Sequence, residues 1–363
     1  MWCRQLPVII ALAVISMSPA RAGDELTVVS WGGAYTKSQI LGFIRDFEQT
    51  SGVDVEVLDY NGGLDEIRSQ VRSFNVKWDV VDLEPSDALR ACKEGLLEQI
   101  DVAELSPAPD GTPPREDFIP EALTPCAVGS VVWSTVIAYP KGQFDEPPQR
   151  LKDFFDIDKF PGRRGMRKTP RANLEWALMA DGVPADRVYD ALETGAGVER
   201  ALEMLDRIKP YIQWWEQGEE PVRLLEDGRV AMTTAYNGRI YEAVTERGGD
   251  FEILWDNQIW SFDLWGIVKH TEHAETATAF VRFATTTASL ASQARYIPYG
   301  PVRRSSLSQM DPDIRPHLPT AQQNFDQALR IDARWWAQHF ERINERFQRW
   351  LERPVQVPRT RPR

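Results

Sequence analysis

Histidine and cysteine are scarce, at four and three residues in a chain of 363. His270 and His273 stand beside Glu272 and Glu275, but at the expected start of a helix solvated charge accounts for them, and no metal site is expected. The motifs that carry nucleotide or acyl chemistry are missing too. There is no Gly-x-Ser-x-Gly, no Gly-rich loop ending in Lys-Ser and no Gly-x-Gly-x-x-Gly. No cofactor is therefore expected. Basic charge is outweighed, with 42 Lys and Arg against 54 Asp and Glu and a formal net charge of −12. A chain with that balance lacks the basic face that nucleic acid or an anionic membrane surface requires.

Long apolar runs are also absent. Leu6 to Met17 is too short to span a bilayer. Arg4 ahead of that run and Ala20-Arg-Ala22 behind it mark a secretory signal, cleaved after about Ala22, with an uncleaved anchor as the alternative. Cys3 precedes the apolar run, so it cannot be the lipid-bearing cysteine that follows one. Residues 1–22 are expected to be removed, which takes away Arg4 and Arg21 and moves the net charge to −14. The mature chain is expected in the periplasm, with no membrane insertion. Two cysteines remain, Cys92 and Cys126; in an oxidising compartment the pair suggests a disulfide, with two buried free thiols as the alternative.

What the chain has is length and alternation. Its 363 residues favour two domains over one core. Strand patterns at Leu26–Ser30, Val53–Asp59 and Trp78–Leu83 alternate with helical ones at Lys37–Gln49, Gly63–Ser73 and Ser86–Gly95, the last with Ser86 or Asp87 as cap. Such alternation builds a parallel sheet with helices on both faces, whose ligands collect outside the carboxyl ends of the strands. Trp31, Tyr60-Asn61 and Glu84–Ser86 fall at those ends. Val128–Tyr139 reads as a long strand able to pass between lobes, and Phe251–Trp255 and Leu264–Val268 as two returning strands. Between them come helices near 173–181, 184–193, 197–208 and 238–247. The segment Arg334–Trp350 reads as an amphipathic helix.

The expected architecture is α/β in two lobes, each a mixed sheet flanked by helices. Lobe 1 is drawn as residues 23–135 plus about 264–305. Lobe 2 is drawn as 136–263 plus about 306–363, with the C-terminal helices.

Tryptophan and tyrosine crowd the loops and strand ends. Trp31, Tyr35, Tyr236, Trp255, Trp260, Trp265, Tyr296 and Tyr299 lie there, although core packing explains Trp265 well. Aromatics beside scattered Asp and Glu suit an ammonium group, since a cation over an aromatic face gains about 0.5–2 kcal/mol once desolvated.

Five segments, taken in order, resemble the periplasmic polyamine-type (spermidine/putrescine-like) receptors of ABC importers. They are Val29-Ser-Trp-Gly-Gly-Ala-Tyr35, Trp78-Asp-Val-Val-Asp-Leu-Glu-Pro-Ser86, Glu94-Gly-Leu-Leu-Glu98, Ala235-Tyr-Asn-Gly-Arg239 and Ile259-Trp-Ser-Phe-Asp263. The resemblance implies a two-lobed, type II-like binding-protein fold that encloses its ligand by hinge closure. It implies ligand contacts from Trp31, Tyr35, Ser86, Glu175, Tyr236, Asp263 and Tyr299, with Trp260 in the same segment as Asp263. The implied partners are a small amine or zwitterionic solute and a membrane permease, and the receptor is expected to be a monomer without catalytic activity.

One position departs from the diamine-binding pattern. Arg239 stands where such relatives can carry an aspartate. A guanidinium repels an ammonium and pairs bidentately with a carboxylate. Asp263 and Arg239 together would suit a short ω-amino acid such as γ-aminobutyrate. If Arg239 instead faces solvent or pairs with Glu175 or Glu242, the pocket stays polyamine-like. Two rival readings remain. A ferric-ion receptor of the same fold would want adjacent tyrosines, which the chain lacks. An exported hydrolase would need two opposed carboxylates, with Glu175 and Asp263 as the candidates.

Overall fold

A computed structural model describes residues 25–354; the signal segment expected at 1–22 lies outside them. Ten strands form one mixed sheet. They are β1 (Glu25–Ser30), β2 (Asp54–Asp59), β3 (Val80–Leu83), β4 (Ala127–Pro140), β5 (Arg164–Arg167), β6 (Ile212–Trp215), β7 (Met232–Tyr236), β8 (Phe251–Ile267), β9 (Gly300–Pro301) and β10 (Leu329–Arg330). The main path runs β2-β1-β3-β8-β4-β7-β5-β6, with β10 on β8 and β9 on β4.

The two lobes share β4 and β8. β1 pairs in parallel with β2 and β3, while β3 runs antiparallel to β8. On the other side β4 is antiparallel to β7, and β5 is parallel to both β7 and β6. Along β8, Phe262, Leu264 and Ile267 pack into the core beneath β1 and β3, whereas Leu254 and Ile259 pack into the second core. β4 divides likewise, with Val128 and Val132 on one side and Ile137 and Tyr139 on the other. Each long strand therefore feeds two cores, which is how a single sheet serves two lobes.

β4 is buried along nearly its whole length, as its unbroken apolar pattern predicts for a strand covered on both faces. β8 differs from expectation. The two short strands read at Phe251–Trp255 and Leu264–Val268 are one strand of 17 residues. Asp256-Asn257-Gln258 breaks the apolar pattern, and Asn257 takes φ 54°, yet pairing resumes beyond it after a register shift against β4. Asparagine tolerates that left-handed conformation, so the strand bends instead of ending. β5 (Arg-Gly-Met-Arg) has little apolar pattern and β6 is only four residues long, so neither stands out in the sequence.

The cap expected at Ser86 or Asp87 is also corrected. The helix Pro85–Lys93 begins one turn-entry earlier, with Glu84 as its cap residue and Pro85 in its first position. Cys92 at the end of this helix is disulfide-bonded to Cys126 just before β4, with the Cα atoms 5.7 Å apart. The C-terminal helix Ala333–Glu352 is capped by Asp332, which accepts from the Trp335 amide at 2.9 Å. It buries Trp335, Trp336, Ile343, Phe347 and Trp350 against the second lobe and also lies along the helix Pro85–Lys93 of the first. No described helix is long and apolar enough to cross a membrane.

Candidate binding site

Strand ends from both lobes converge on one cavity with about 430 Å³ of atom-free space, partly open to solvent. The first lobe supplies Trp31 after β1, Tyr35 one turn later, Asn61 after β2 and Glu84 after β3. Trp133 on β4 and Asp263 on β8 form its floor. The second lobe adds Arg167 at the end of β5, Glu216 and Gly218 after β6, and Tyr236 at the end of β7. Arg239 follows in the first turn of the helix Asn237–Arg247, and Tyr299 precedes β9.

Aromatic faces make the walls. Trp31 packs at a tilt against Tyr60 with 4.8 Å between ring centroids, Tyr35 likewise against Tyr299 at 5.5 Å, and Trp133 meets Tyr236 edge-on at 5.2 Å. Such pairs hold one another in place, so the walls are rigid before any ligand arrives.

The polar groups divide by sign. Asp263 is buried and accepts from the Trp133 indole at 2.7 Å. Burial pushes its carboxyl well above the ordinary range, and the nearby Asp82 pushes further. Asp82 lies behind Tyr35, whose hydroxyl donates to it at 2.7 Å, and Gln39 donates to the same oxygen at 2.8 Å. Its other oxygen is buried without a partner.

Arg239 is 3% exposed, so it does not face solvent. Its Nη2 donates to the Trp31 carbonyl at 2.9 Å. Its Nε and Nη1 are buried without hydrogen bonds, and the nearest described carboxylate, Glu219, stays 3.8 Å away. Glu242 pairs with Arg247 instead, and Glu175 is held by Trp336 and Tyr189. A buried guanidinium with two free donors is costly unless a further acceptor reaches it.

Tyr236 and Tyr299 line the same cavity as Asp263 and Arg239. Burial pushes Tyr236 up to about 12 and Tyr299 higher still; Arg239 opposes the rise in both, and Asp263 adds to it. Both phenols thus stay neutral and lie within the fields of the acid and the base.

The remaining acids of the cavity are already matched. Glu84 receives Arg167 at 3.2 Å and Arg171 from a position closer still, and Glu216 pairs with Lys168 at 3.1 Å.

A family model described as "Bacterial extracellular solute-binding protein" matches residues 42–320. The chain belongs to that family. This solute-binding protein is 38% identical over 330 residues to the gamma-aminobutyric acid-binding protein of Pseudomonas aeruginosa, an alignment covering 91% of this chain and 92% of the relative. Among solved structures, the PBP MotA of A. tumefaciens B6, in complex with glucopine, superposes with a TM-score of 0.83 at 25% identity, covering 90% of this chain and 99% of that one. The Atu4243-GABA receptor superposes at 0.79 with 30% identity over 92% of this chain and all of that one. The resemblance read from the five local segments is borne out, as is the two-lobed α/β fold. A member of this family takes a small solute to an ABC permease.

Six of the nine expected contact residues of the binding protein meet in the cavity: Trp31, Tyr35, Tyr236, Arg239, Asp263 and Tyr299. Three do not line it. Ser86 is buried in the first turn of its helix, and its neighbour Glu84 faces the space instead. Trp260 is three residues from Asp263 on one strand and so points to the other face, where it meets Phe325 and Arg330. Glu175 is fully buried under the C-terminal helix, accepting from Trp336 at 2.7 Å and Tyr189 at 3.0 Å. It cannot oppose Asp263 across the cavity, so the carboxylate pair a hydrolase would need is not assembled there. Among the described residues no group of three or more His, Cys, Asp and Glu is placed to hold a metal ion.

Trp133, Arg167, Glu216 and Gly218 were not anticipated. Trp133 sits inside an apolar strand and reads as core, and Arg167 and Gly218 follow strands too short to recognise. Asn61 and Glu84 carried the one usable signal, their place at strand ends.

Proposed function

We propose that this protein is a periplasmic receptor for a short ω-amino acid of the γ-aminobutyrate kind, exported as a precursor cleaved after about Ala22 and working as a monomer. The observation that carries the reading is Arg239, buried in the cavity lining with two donors that make no hydrogen bond, in a lining that also holds the buried Asp263. The ligand's ammonium lies against Asp263 among the tyrosines, and its carboxylate accepts from Arg239. A diamine fits less well. Glu84 and Glu216 are engaged by basic side chains, which leaves Asp263 as the one free acid of the lining, and the second ammonium would face a guanidinium. The gamma-aminobutyric acid-binding relative supports the same choice.

The energetics are sufficient. A micromolar receptor needs about −8 kcal/mol. Charge-assisted bonds at each end contribute about 1.5–3 kcal/mol apiece, and the aromatic walls add cation–π and apolar terms. Because the contacts come from both lobes, they favour the closed form over the open one, which is what drives hinge closure. The closed form then docks on its permease.

Calorimetric titration of the mature protein with γ-aminobutyrate, putrescine and spermidine tests the reading. The amino acid is expected to bind at micromolar levels or tighter and each polyamine at least tenfold more weakly. A diamine that binds as tightly as the amino acid overturns it.

A further inference from the structure

Asp82 has no part in lining the cavity, yet its surroundings are those of the amine end. β3 and β8 pair so that Asp82 lies opposite Trp265. Asp263, two residues along on the same face, is its diagonal neighbour, about 7–8 Å away at Cα. Tyr35 joins them, since its ring lines the cavity while its hydroxyl is bonded to Asp82. The groups packed around the two carboxylates can be followed element by element. The helix Gly33–Gln39 contributes Tyr35 and Gln39, the loop after β2 contributes Tyr60, whose hydroxyl donates to the Asp82 carbonyl, and β4 contributes Trp133. Glu84 and Asp87, beyond the end of β3, add negative charge. Arg167, the cation nearest to Asp263, is already tied to Glu84. Two buried acids thus stand as diagonal neighbours on one face of the sheet with neutral donors around them, and one Asp82 oxygen has no partner at all.

We infer that Asp82 is a second, hidden carboxylate of the amine end: in the ligand-free receptor it and Asp263 hold one proton between them, and an arriving ammonium expels that proton to solvent. Two like charges in one dry site cannot both be unprotonated without a cation. The ligand brings that cation as an ammonium already carrying its proton, so the net change is one carboxylic acid becoming a carboxylate plus one proton released. Burial raises Asp82 despite the bonds from Tyr35 and Gln39, and burial followed by the charge of Asp82 raises Asp263, so the pair keeps a proton at pH values where an ordinary aspartate has lost it. The two acids titrate as a unit.

The inference rests on the reading that an ammonium lies at Asp263, and two measurements separate the two ideas. Infrared spectra of the ligand-free receptor at pH 6 are expected to show a buried protonated carboxyl band that disappears when γ-aminobutyrate is added. Calorimetry in two buffers of different ionisation heat is expected to show proton release on binding, with affinity that tightens as pH rises through the range in which the pair holds its proton. Asp82→Asn removes the like charge but not the burial of Asp263, so it is expected to weaken the band and move the proton release to lower pH. No band in the ligand-free wild type, or normal binding heat with no proton released, overturns the inference alone. The absence of any binding heat overturns the amino-acid reading and the coupling with it. Proton release in a folded Asp82→Asn variant that matches the wild type at every pH also overturns it; should that variant fail to fold, the wild-type band and proton release decide.

Discussion

Arg239 donates from Nη2 to the main-chain carbonyl of Trp31 at 2.9 Å, a bond between lobes that spans 208 positions of sequence. Nη2 is thereby tied to the first lobe, while Nε and Nη1, on different edges of the guanidinium, make no hydrogen bond. In the proposed reading the residue acts at once as recognition group and as a clasp between the lobes. Arg239→Ala should weaken γ-aminobutyrate binding at least about 100-fold, the loss of a charge-assisted contact of roughly 3 kcal/mol. Arg239→Lys, which keeps the charge but not the fork, should lose about tenfold. Calorimetry measures both. Binding within threefold of wild type in the alanine variant would remove Arg239 from the site.

Two glycines let the opposing lips come this close. A Cβ on Gly218 would stand 2.8 Å from Arg239 Nε and 2.9 Å from its Cζ, so the loop after β6 lies flat on the guanidinium. Gly33, at φ 55°, leaves room for the Glu219 carboxylate from the same loop. Gly218→Ala should therefore displace Arg239 or lift the loop. About tenfold weaker ligand binding is expected, with thermal stability nearly unchanged because the loop lies outside either core. An alanine variant with undiminished affinity would show that the close approach is not needed for binding.

The sequence carried more of the frame than of the pocket. Strand and helix periodicity in the first hundred residues was legible because Val28, Val29, Val80 and Val81 are buried by a repeating α/β pattern. Asp263 and Arg239, which both line the cavity, were singled out through a family pattern and one departure from it. Glu175 could not be read correctly, because a carboxylate under a tryptophan-rich helix looks the same in sequence as one in a cleft. Only the C-terminal helix, more than 150 positions away, decides its environment. Trp133 and Asp82 were hidden for the opposite reason, since each lies within an apolar strand whose polar member looks incidental.

Closure also has a part that the ligand does not touch. Arg171 of the second lobe donates to Glu84 and, at 2.8 Å, to Asp87 of the first, and its guanidinium lies 4.4 Å from the centre of the Phe340 ring. Burial would raise the Asp87 carboxyl, but Arg171 and Arg90 outweigh it and hold the group below its ordinary value. Removing one partner from such a buried cluster costs about 3–5 kcal/mol if water stays out. Opening the cleft relieves that cost, so Arg171→Met should shift the receptor toward the open form. Small-angle scattering should show a larger radius of gyration at a ligand concentration that compacts the wild type, and affinity should fall at least tenfold. Equal compaction of the two proteins would show that the cluster does not bear on closure.

Glu175 offers a test that leaves the pocket alone. Burial pushes its carboxyl up to about 7 despite the bonds from Trp336 and Tyr189, against an ordinary value of 4.5. A raised carboxyl means that the folded chain binds the proton more tightly than the unfolded one. The stabilising contribution is therefore full below about pH 4.5 and is lost as pH rises through about 7. Glu175→Gln keeps an acceptor for Trp336 and Tyr189 and cannot ionise. Its melting temperature should exceed that of the wild type by about 2–4 °C at pH 8, for an effect on the order of 1–3 kcal/mol, and the difference should vanish below about pH 4.5. γ-Aminobutyrate affinity should not change, because the side chain lies under the C-terminal helix and outside the cavity. A variant that melts with the wild type at both pH values would refute the buried-acid argument, and one that loses the ligand would return Glu175 to the site.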